Sequence, residues 1–487
     1  MAKQKQKINK RLIVVSNRLP VVIDKENDQW RIQPGSGGLV TALNPILKEN
    51  ESLWIGWPGT GKEAPIQKLL DQFGSEQGYK LVGIPLNQQE IERYYWGFSN
   101  GTLWPLLHDL LGYCKFDLED WQTYIAVNKK FAKAITKQTR KNDIIWIHDY
   151  QLSMVGHFLK KSGVRLPLAY FHHIPFPSLD LLRRLPWKME YTKALLAFDL
   201  LGFQTLRDRR NFVNTVTNLI PEASILRRQR NYTLVQYKKR IIQVGHFPIS
   251  IDFNEFNNAA HSQEVQDAAW YLHENLHERQ LMLGIDRLDY TKGIPERFLA
   301  YELALEKYPE LKQKISLLQV VVPSRTLDPD YQNLKEQLDQ IVGRINSRFG
   351  NAGWIPIHYI YRSLDNTQLV AHYRTSEIAL ITPLRDGMNL VAKEYCACSV
   401  ENNGVLILSE FAGAADQLGE KALLVNPYDI EKTADTIYRA FTMPLEERQQ
   451  RMQWLRNQVQ KNDVHRWLRY FVRTLDKVNL KTDFSPK

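Results

Sequence analysis

Short apolar runs alternate with longer amphipathic ones along almost the whole chain, and this alternation limits the fold more than any other feature. The apolar runs that read as strands lie at residues 12–16, 53–57, 79–84, 143–148, 167–171, 200–203 and 241–247. A second series lies at 280–285, 315–321, 357–361, 378–381, 405–409 and 423–425. Helical patterns such as 295–307 and 331–349 lie between most of them, and a last long helix is predicted over 444–479. Continuous apolar strands alternating with helices mean α/β architecture, with parallel sheets covered on both faces. A chain of 487 residues exceeds a single core. The two series therefore predict two doubly wound halves, dividing near 250–275, where a polar helical stretch opens the second half. Such sheets bind ligands outside the carboxyl ends of their strands. Arg18, Asp149, His173, Arg287 and Asp386 each follow a predicted strand.

Composition narrows the function. Hydrophobic residues make up 44% and charged residues 24%, an ordinary globular balance. No apolar run reaches the roughly 18–20 residues of a membrane helix. The basic start, Met1 to Lys10, has neither an apolar core nor a small-residue cleavage site, so no signal peptide is expected. Three cysteines cannot form a disulfide framework, and the expected location is the reducing cytoplasm. Cys396 and Cys398 sit two apart on a predicted helix and face different ways. The net charge of +11 is spread along the chain, with modest clusters at the N-terminus and at Arg227-Arg228-Gln229-Arg230. No nucleic-acid motif accompanies it, and a basic balance suits small anionic substrates. Neither a P-loop nor a Gly-x-Ser-x-Gly elbow is present, which removes support for P-loop phosphoryl transfer and serine-type hydrolysis.

The chemistry concentrates in a few segments. The run 378–383 ends at Asp386-Gly387 and restarts as a helix carrying Glu394. Strand, glycine turn and helix N-terminus present free N–H groups and a helix dipole to an anion. Two carboxylates bracketing that turn suit a sugar and a ribose around a diphosphate. Strand 281–285 runs into Asp286-Arg287-Leu288-Asp289-Tyr290-Thr291-Lys292-Gly293. Arg287 as a fork and Lys292 as a point charge can hold a diphosphate; the plainer reading is a salt bridge with Asp286 or Asp289. In the first half, Arg18 follows the first strand and Gly35-Ser36-Gly37-Gly38 forms a second glycine loop. Trp54, Trp57, Tyr94, Tyr95, Trp96 and Trp104 add aromatic density suited to a sugar ring or to a core. His148-Asp149 and His172-His173 end successive strands. Adjacent histidines rarely chelate one metal and no third ligand has suitable spacing, so no metal is assigned. Asp328-Pro329-Asp330 matches a metal-binding spacing, but helix capping explains it more simply.

Taken in order, 14–20, 35–38, 54–57, 94–104, 146–150, 173–177, 286–293, 323–325, 344–346 and 383–394 form a known series. The chain resembles trehalose-6-phosphate synthases, retaining glucosyltransferases of GT-B fold, over residues 11–475. The resemblance implies two Rossmann-like domains facing across a cleft: a basic tail at 1–10, an acceptor-binding domain at 11–255, and a nucleotide-sugar domain at 256–460. A C-terminal helix and tail at 461–487 is expected to pack back on the first domain. It implies that glucose 6-phosphate, the acceptor, is held by Arg18, Tyr95, Trp104, Asp149 and Arg325, with Trp57 nearby. Arg18 and Arg325 would clamp its phosphate. Gly38, Arg287 and Lys292 would meet the donor diphosphate. Asp386, Gly387, Met388, Asn389 and Leu390 would hold donor glucose and phosphate, Glu394 the ribose, and His173 the donor sugar. Arg287, Lys292, Asp386 and His173 would carry the catalysis. The base would lie near 360–364, including Leu364; UDP is the default, with GDP or ADP open. No cofactor is implied, and the oligomeric state, monomer, homodimer or tetramer, stays open. Three features depart from the family: a long polar insert at 23–34, His172 before His173, and the basic segment 221–240. Rival readings are a synthase with another acceptor, such as glycerol 3-phosphate or a cyclitol, and a silent sugar-phosphate-binding homologue.

Overall fold

The computed structural model describes residues 10–26, 29–35, 43, 47, 52–60, 66–274 and 279–479. They form two compact units. Unit 1 runs to Pro248 and resumes at Trp467, and unit 2 is Ile249–Arg466.

Unit 1 holds the strands β1 (Leu12–Arg18), β2 (Val21–Glu26), β3 (Gln29–Pro34), β4 (Leu53–Trp57), β5 (Lys80–Gly83), β6 (Ile144–His148), β7 (Leu168–His172) and β8 (Leu200–Phe203). Three more follow: β9 (Ala223–Arg228), β10 (Tyr232–Tyr237) and β11 (Arg240–His246). Nine of these make one sheet in the order β5-β4-β1-β6-β7-β8-β11-β10-β9. All its pairs are parallel except those of β10 with β11 and β9. β6 and β8 are buried throughout, as a strand covered on both faces must be.

The basic stretch 221–240, which the sequence pattern leaves unassigned, is the antiparallel edge of this sheet. A two-residue turn at Lys238-Lys239, with Lys238 in the left-handed region at φ 55°, joins β10 to β11. Val235 and Thr233 of β10 are buried, while Arg227 and Arg228 on β9 are exposed. Basic side chains on an edge strand also discourage pairing with other chains. The polar insert after Arg18 forms a separate antiparallel pair, β2 with β3. Residues Ile91–Leu103, rich in aromatics, wind as a wide π-helix.

Unit 2 contains β12 (Gln280–Arg287), β13 (Ile315–Val322), β14 (Ile357–Ile360), β15 (Ile378–Ile381), β16 (Val405–Ser409) and β17 (Leu423–Val425). Their order is β14-β13-β12-β15-β16-β17, parallel throughout. Arg297, from the helix Ile294–Lys307, is buried beneath the carboxyl ends of three of these strands. It meets Asp286 at 2.5 Å, Gln319 at 2.9 Å and the Thr382 hydroxyl at 3.1 Å. Gly284 makes room, since a Cβ there would lie 2.2 Å from the Gln319 side-chain oxygen.

The division at Pro248/Ile249 falls before the expected 255/256 because Asp252 already caps the helix Phe253–Ala260, whose Phe253 ring lies under Arg456 of unit 2. The expected single helix over 444–479 is two, Leu445–Lys461 and Val464–Asn479. The Asp463 carboxylate accepts from the Arg466 N–H at 2.7 Å and so starts the second one, a helix-initiation signal inside an otherwise helical pattern. From Trp467 onward this helix belongs to unit 1. Phe471 stacks on Trp146 of β6 with ring centres 4.3 Å apart, and the Trp467 indole donates to the Phe247 carbonyl at 3.0 Å.

Phe471 is fully buried, so Phe471→Ala is expected to cost about 3–5 kcal/mol, seen as a lower melting temperature and urea midpoint. A loss below about 1 kcal/mol, the range of surface substitutions, would remove this helix from the core of unit 1.

Candidate active site

In each unit the sheet changes direction once beside its first long strand. In unit 2, β13 and β14 lie on one side of β12 and β15 on the other. A doubly wound sheet opens a crevice at such a switch point, outside the carboxyl ends of the strands. Arg287 is the last residue of β12. The chain then makes a short 3-10 turn, Tyr290–Lys292, capped by Asp289, whose carboxylate accepts from the Thr291 N–H at 3.0 Å. Gly293 follows in the left-handed region at φ 62°. A Cβ there would lie 2.4 Å from the Thr382 carbonyl oxygen, so the turn presses on the end of β15 as only glycine permits. The Leu384 N–H donates back to the Thr291 carbonyl at 2.8 Å, lacing the two loops together.

This lacing brings Lys292 to Asp386, with Nζ 2.5 Å from Oδ2. Neither Asp286 nor Asp289 is its ion-pair partner: Asp286 pairs with Arg297. Asp386 also accepts from the Met388 N–H at 3.2 Å and the Asn389 side-chain amide at 3.3 Å. Asn389, at φ 69°, caps the helix Leu390–Cys398 by accepting from the Ala392 N–H. The backbone of Asp386, Gly387 and Met388 rests against 411–414. Gly413 N–H donates to the Asp386 carbonyl at 3.1 Å, and a Cβ on Gly413 would stand 1.9 Å from the Gly387 oxygen. Glu394 lies one turn into the helix and accepts from the Tyr373 hydroxyl at 2.7 Å. Burial pushes its carboxyl up, with the Tyr373 bond opposing.

Asp289 feels the cations. Burial pushes its carboxyl up, but Arg325, Lys292 and Arg287 together push it further down, to below the ordinary carboxylate range. Arg325, at φ 50° after β13, lies over the Tyr331 ring at 5.2 Å and donates to its hydroxyl. Three cations thus act electrostatically on one buried carboxylate, an influence the sequence pattern did not specify. Leu364 is half-buried in the loop between β14 and the helix Asn366–Thr375.

In unit 1 the switch lies between β1 and β6. Arg18 ends β1, and its guanidinium lies over the Trp57 ring at 4.6 Å. Tyr95 meets Trp57 edge-on at 5.7 Å. A Cβ on Gly59, at φ 89°, would stand 2.2 Å from the Arg18 guanidinium carbon, so Gly59 is what lets Arg18 lie flat. Trp104 is almost wholly buried, its ring against His108 and Tyr150, and it forms wall more than contact surface.

Asp149 follows β6 at φ 75° and accepts from the His173 N–H at 3.1 Å. Burial raises its carboxyl to about 7, against the backbone bonds from His173, Tyr150 and Ile174. His173 in turn meets His148, with Nε2 3.0 Å from Nδ1. Burial, with His172 adding, pulls His173 down to about 3, and burial with His173 pulls His148 well below its ordinary value. Both rings are therefore neutral near pH 7 and share one hydrogen bond. His172 is a core residue, bonded to the Tyr170 hydroxyl and the Pro175 carbonyl. Sequence reading did not find Gly59, Asp289 or the supporting role of His148; the left-handed turn implied by Pro58-Gly59 was the one available signal.

Gly38 lies outside the described residues. Among the described residues no group of three His, Cys, Asp or Glu side chains is arranged for a metal. Asp328 caps the helix Pro329–Phe349, accepting from the Asp330 N–H at 3.0 Å. No described helix is long and apolar enough to cross a membrane.

The model of glycosyltransferase family 20 matches residues 10–477. The chain belongs to that family. It is 41% identical over 474 residues to the UDP-forming α,α-trehalose-phosphate synthase A of Dictyostelium discoideum, covering 97% of this chain and 63% of that relative. It is 38% identical to the trehalose-6-phosphate synthase of Mycolicibacterium paratuberculosis, covering 96% of this chain and 95% of the relative. The chain thus spans less than two thirds of the first relative's length and nearly all of the second's. A solved UDP-forming synthase from Burkholderia xenovorans, in complex with glucose 6-phosphate, is 36% identical, with a TM-score of 0.84 over 96% of this chain and all of that one. The fold is accordingly the GT-B type, built of two Rossmann-like units.

The Asp149 carboxyl is expected to titrate near pH 7. With its folded pKa above its unfolded value, the folded state keeps a proton that the unfolded chain releases. Its stabilising share is therefore complete at acid pH and lost as pH rises from about 4 through about 7. His148 and His173 slope the other way, so the variant comparison isolates Asp149. Asp149→Asn should melt closer to the parent at pH 5 than it does at pH 8, where it should be relatively the more stable. Equal differences at the two pH values would place the carboxyl at an ordinary pKa.

Proposed function

We propose that this protein is a retaining glucosyltransferase. It moves glucose from UDP-glucose to the anomeric hydroxyl of glucose 6-phosphate, giving α,α-trehalose 6-phosphate and UDP. The observation that carries the reading is the Lys292–Asp386 pair at 2.5 Å before the capped helix Leu390–Cys398, with Arg287 at the end of β12. A leaving nucleoside diphosphate needs positive charge fixed in advance, and this group supplies it from side chains and backbone. The names of the family relatives support the same donor and product.

The resemblance assigns the roles. Arg287 and Lys292 stabilise the departing diphosphate, and Asp386 orients Lys292 while holding the donor glucose. The backbone from Gly387 to Leu390 offers N–H groups, Glu394 takes the ribose, and His173, steadied by His148, takes the donor sugar. Gly38 belongs to the same donor set, and Leu364 lies toward the base. Arg18, laid flat on Trp57, and Arg325 take the acceptor phosphate; Asp149, Tyr95 and Trp104 take its sugar. Retention commonly uses a carboxylate nucleophile and a covalent intermediate. In front-face substitution the bond from the donor anomeric carbon to the diphosphate breaks as the acceptor oxygen adds from the same side. The leaving phosphate oxygen takes the acceptor's proton, and the protein's part is positioning and charge stabilisation.

The deciding assay measures nucleotide release from UDP-, GDP- and ADP-glucose, with glucose 6-phosphate or glycerol 3-phosphate as acceptor. UDP release dependent on glucose 6-phosphate is expected; release with glycerol 3-phosphate alone would overturn the acceptor. Arg287→Ala and Lys292→Ala should each lower turnover by about 2–4 kcal/mol in transition-state terms. Turnover within about threefold of the parent, in folded variants, would contradict the charge-stabilising role. Arg325→Ala should raise the KM for glucose 6-phosphate, leave UDP affinity nearly unchanged, and narrow the preference over unphosphorylated glucose. An unchanged ratio of kcat/KM between the two acceptors would sink the assignment of Arg325 to the phosphate.

A further inference from the structure

The basic stretch around β10 and β11 takes no part in the site described above. It borders a cavity of unit 1, about 1030 Å³ in volume. Six cations line it: Lys10, Lys141, Lys160, Arg165, Lys239 and Arg240. The lining holds one carboxylate, Asp199, which pairs with Arg240 at 2.6 Å and Lys160 at 3.3 Å. Arg240 also donates to the carbonyls of Leu196, Ala197 and Phe198, so this pair is a fixed floor. Lys10, Lys141, Arg165 and Lys239 have no ion-pair partner among the described residues. Four uncompensated cations around one concavity repel one another and focus a positive potential into it, which an anion relieves.

The cavity stands apart from the proposed substrate site. Asn142 precedes β6, Pro167 precedes β7 and Asp199 precedes β8, so it opens at the amino ends of strands whose carboxyl ends carry Asp149 and His173. A five-residue strand separates the two ends by roughly 16 Å. Val164, Leu166 and Ile241 add apolar wall. A volume at the upper end of the usual small-molecule range, about 300–1,000 Å³, with apolar wall and clustered cations, matches a ring-bearing ligand with more than one phosphate charge.

We propose that this cavity is a second binding site, taking a phosphorylated small metabolite of nucleotide or sugar-phosphate size. Lys141, Arg165 and Lys239 hold the phosphate groups and the Val164–Leu166–Ile241 wall takes the ring. The test is calorimetric titration with ADP and with pyrophosphate of the full chain, parent and Arg287→Ala/Lys292→Ala, the latter disabling the proposed diphosphate site. One equivalent of ADP should bind, with pyrophosphate binding more weakly because it lacks a ring. The triple variant Lys141→Glu/Arg165→Glu/Lys239→Glu, at exposed positions that spare the core, should weaken ADP at least tenfold with melting temperature and turnover unchanged. The matched variant Lys129→Glu/Lys133→Glu/Lys137→Glu, with the same change of charge on an exposed helix face, should bind ADP as the parent does. Three results would overturn the proposal: no binding by either chain, binding by the parent but not by Arg287→Ala/Lys292→Ala, or equal weakening in both triple variants. The first denies a site, the second returns the ligand to the substrate site, and the third reduces it to net charge. None depends on glucosyl transfer.

Discussion

Arg297 fixes the geometry on which the site of unit 2 rests. Its guanidinium, with no exposure to solvent, ties Asp286 at the end of β12 to Gln319 on β13 and Thr382 beyond β15. Arg287 and Lys292 leave from the first of these strands and Asp386 from the third. A buried ion pair contributes little net stability against an apolar replacement, but losing one partner strands a charge and costs several kcal/mol, about 3–5. Its value here is positional. It sets the spacing of three strand ends, and the Gly293 turn and the Leu384–Thr291 bond then need little freedom to bring Lys292 to Asp386.

Both units use a sheet switch point, but they furnish it with opposite chemistry. In unit 2 the strand ends supply cations, with a buried Asp289 whose carboxyl feels three of them and a capped helix nearby. In unit 1 one cation lies flat on an aromatic ring, and the neighbouring strand ends supply a carboxyl and a neutral imidazole pair. The first arrangement suits a multiply charged group, and the second suits hydroxyls and a single phosphate. Asp149, Arg325 and Asn389 all sit in the left-handed region, where side chains other than glycine are uncommon. Their backbones are held there by neighbouring strands and caps, so aim is gained at the expense of local comfort.

The central strands were legible because burial on both faces leaves an unbroken apolar run: 53–57, 378–381 and 405–409 read directly as β4, β15 and β16. The edge strand β9 was not, since its exposed Arg227 and Arg228 read as a basic cluster, and its short neighbour β10 was passed over with that cluster. The break at Asn462-Asp463 was hidden by helical pattern on both sides. At the site, residue types at strand ends gave the candidates, because topology places loop residues there. Partners were beyond reach: Lys292 and Asp386 are 94 residues apart, and two nearer carboxylates, Asp286 and Asp289, competed as readings. His148 read only as the end of a strand, and it is a prop for His173. Nothing in local pattern announces that three cations lower the Asp289 carboxyl.

The return of the chain to unit 1 at Trp467 has a consequence for how the protein is made. Strands β1 to β11 leave the ribosome with Trp146, Phe171 and Phe247 lacking the rings of Trp467 and Phe471 that complete their packing. All of unit 2 must be synthesised before those rings arrive, although domains otherwise tend to fold in order of synthesis. The first unit to emerge is therefore the last to be finished. During that interval it presents an unfilled aromatic face, so chaperone demand and sensitivity to translation rate should centre on it.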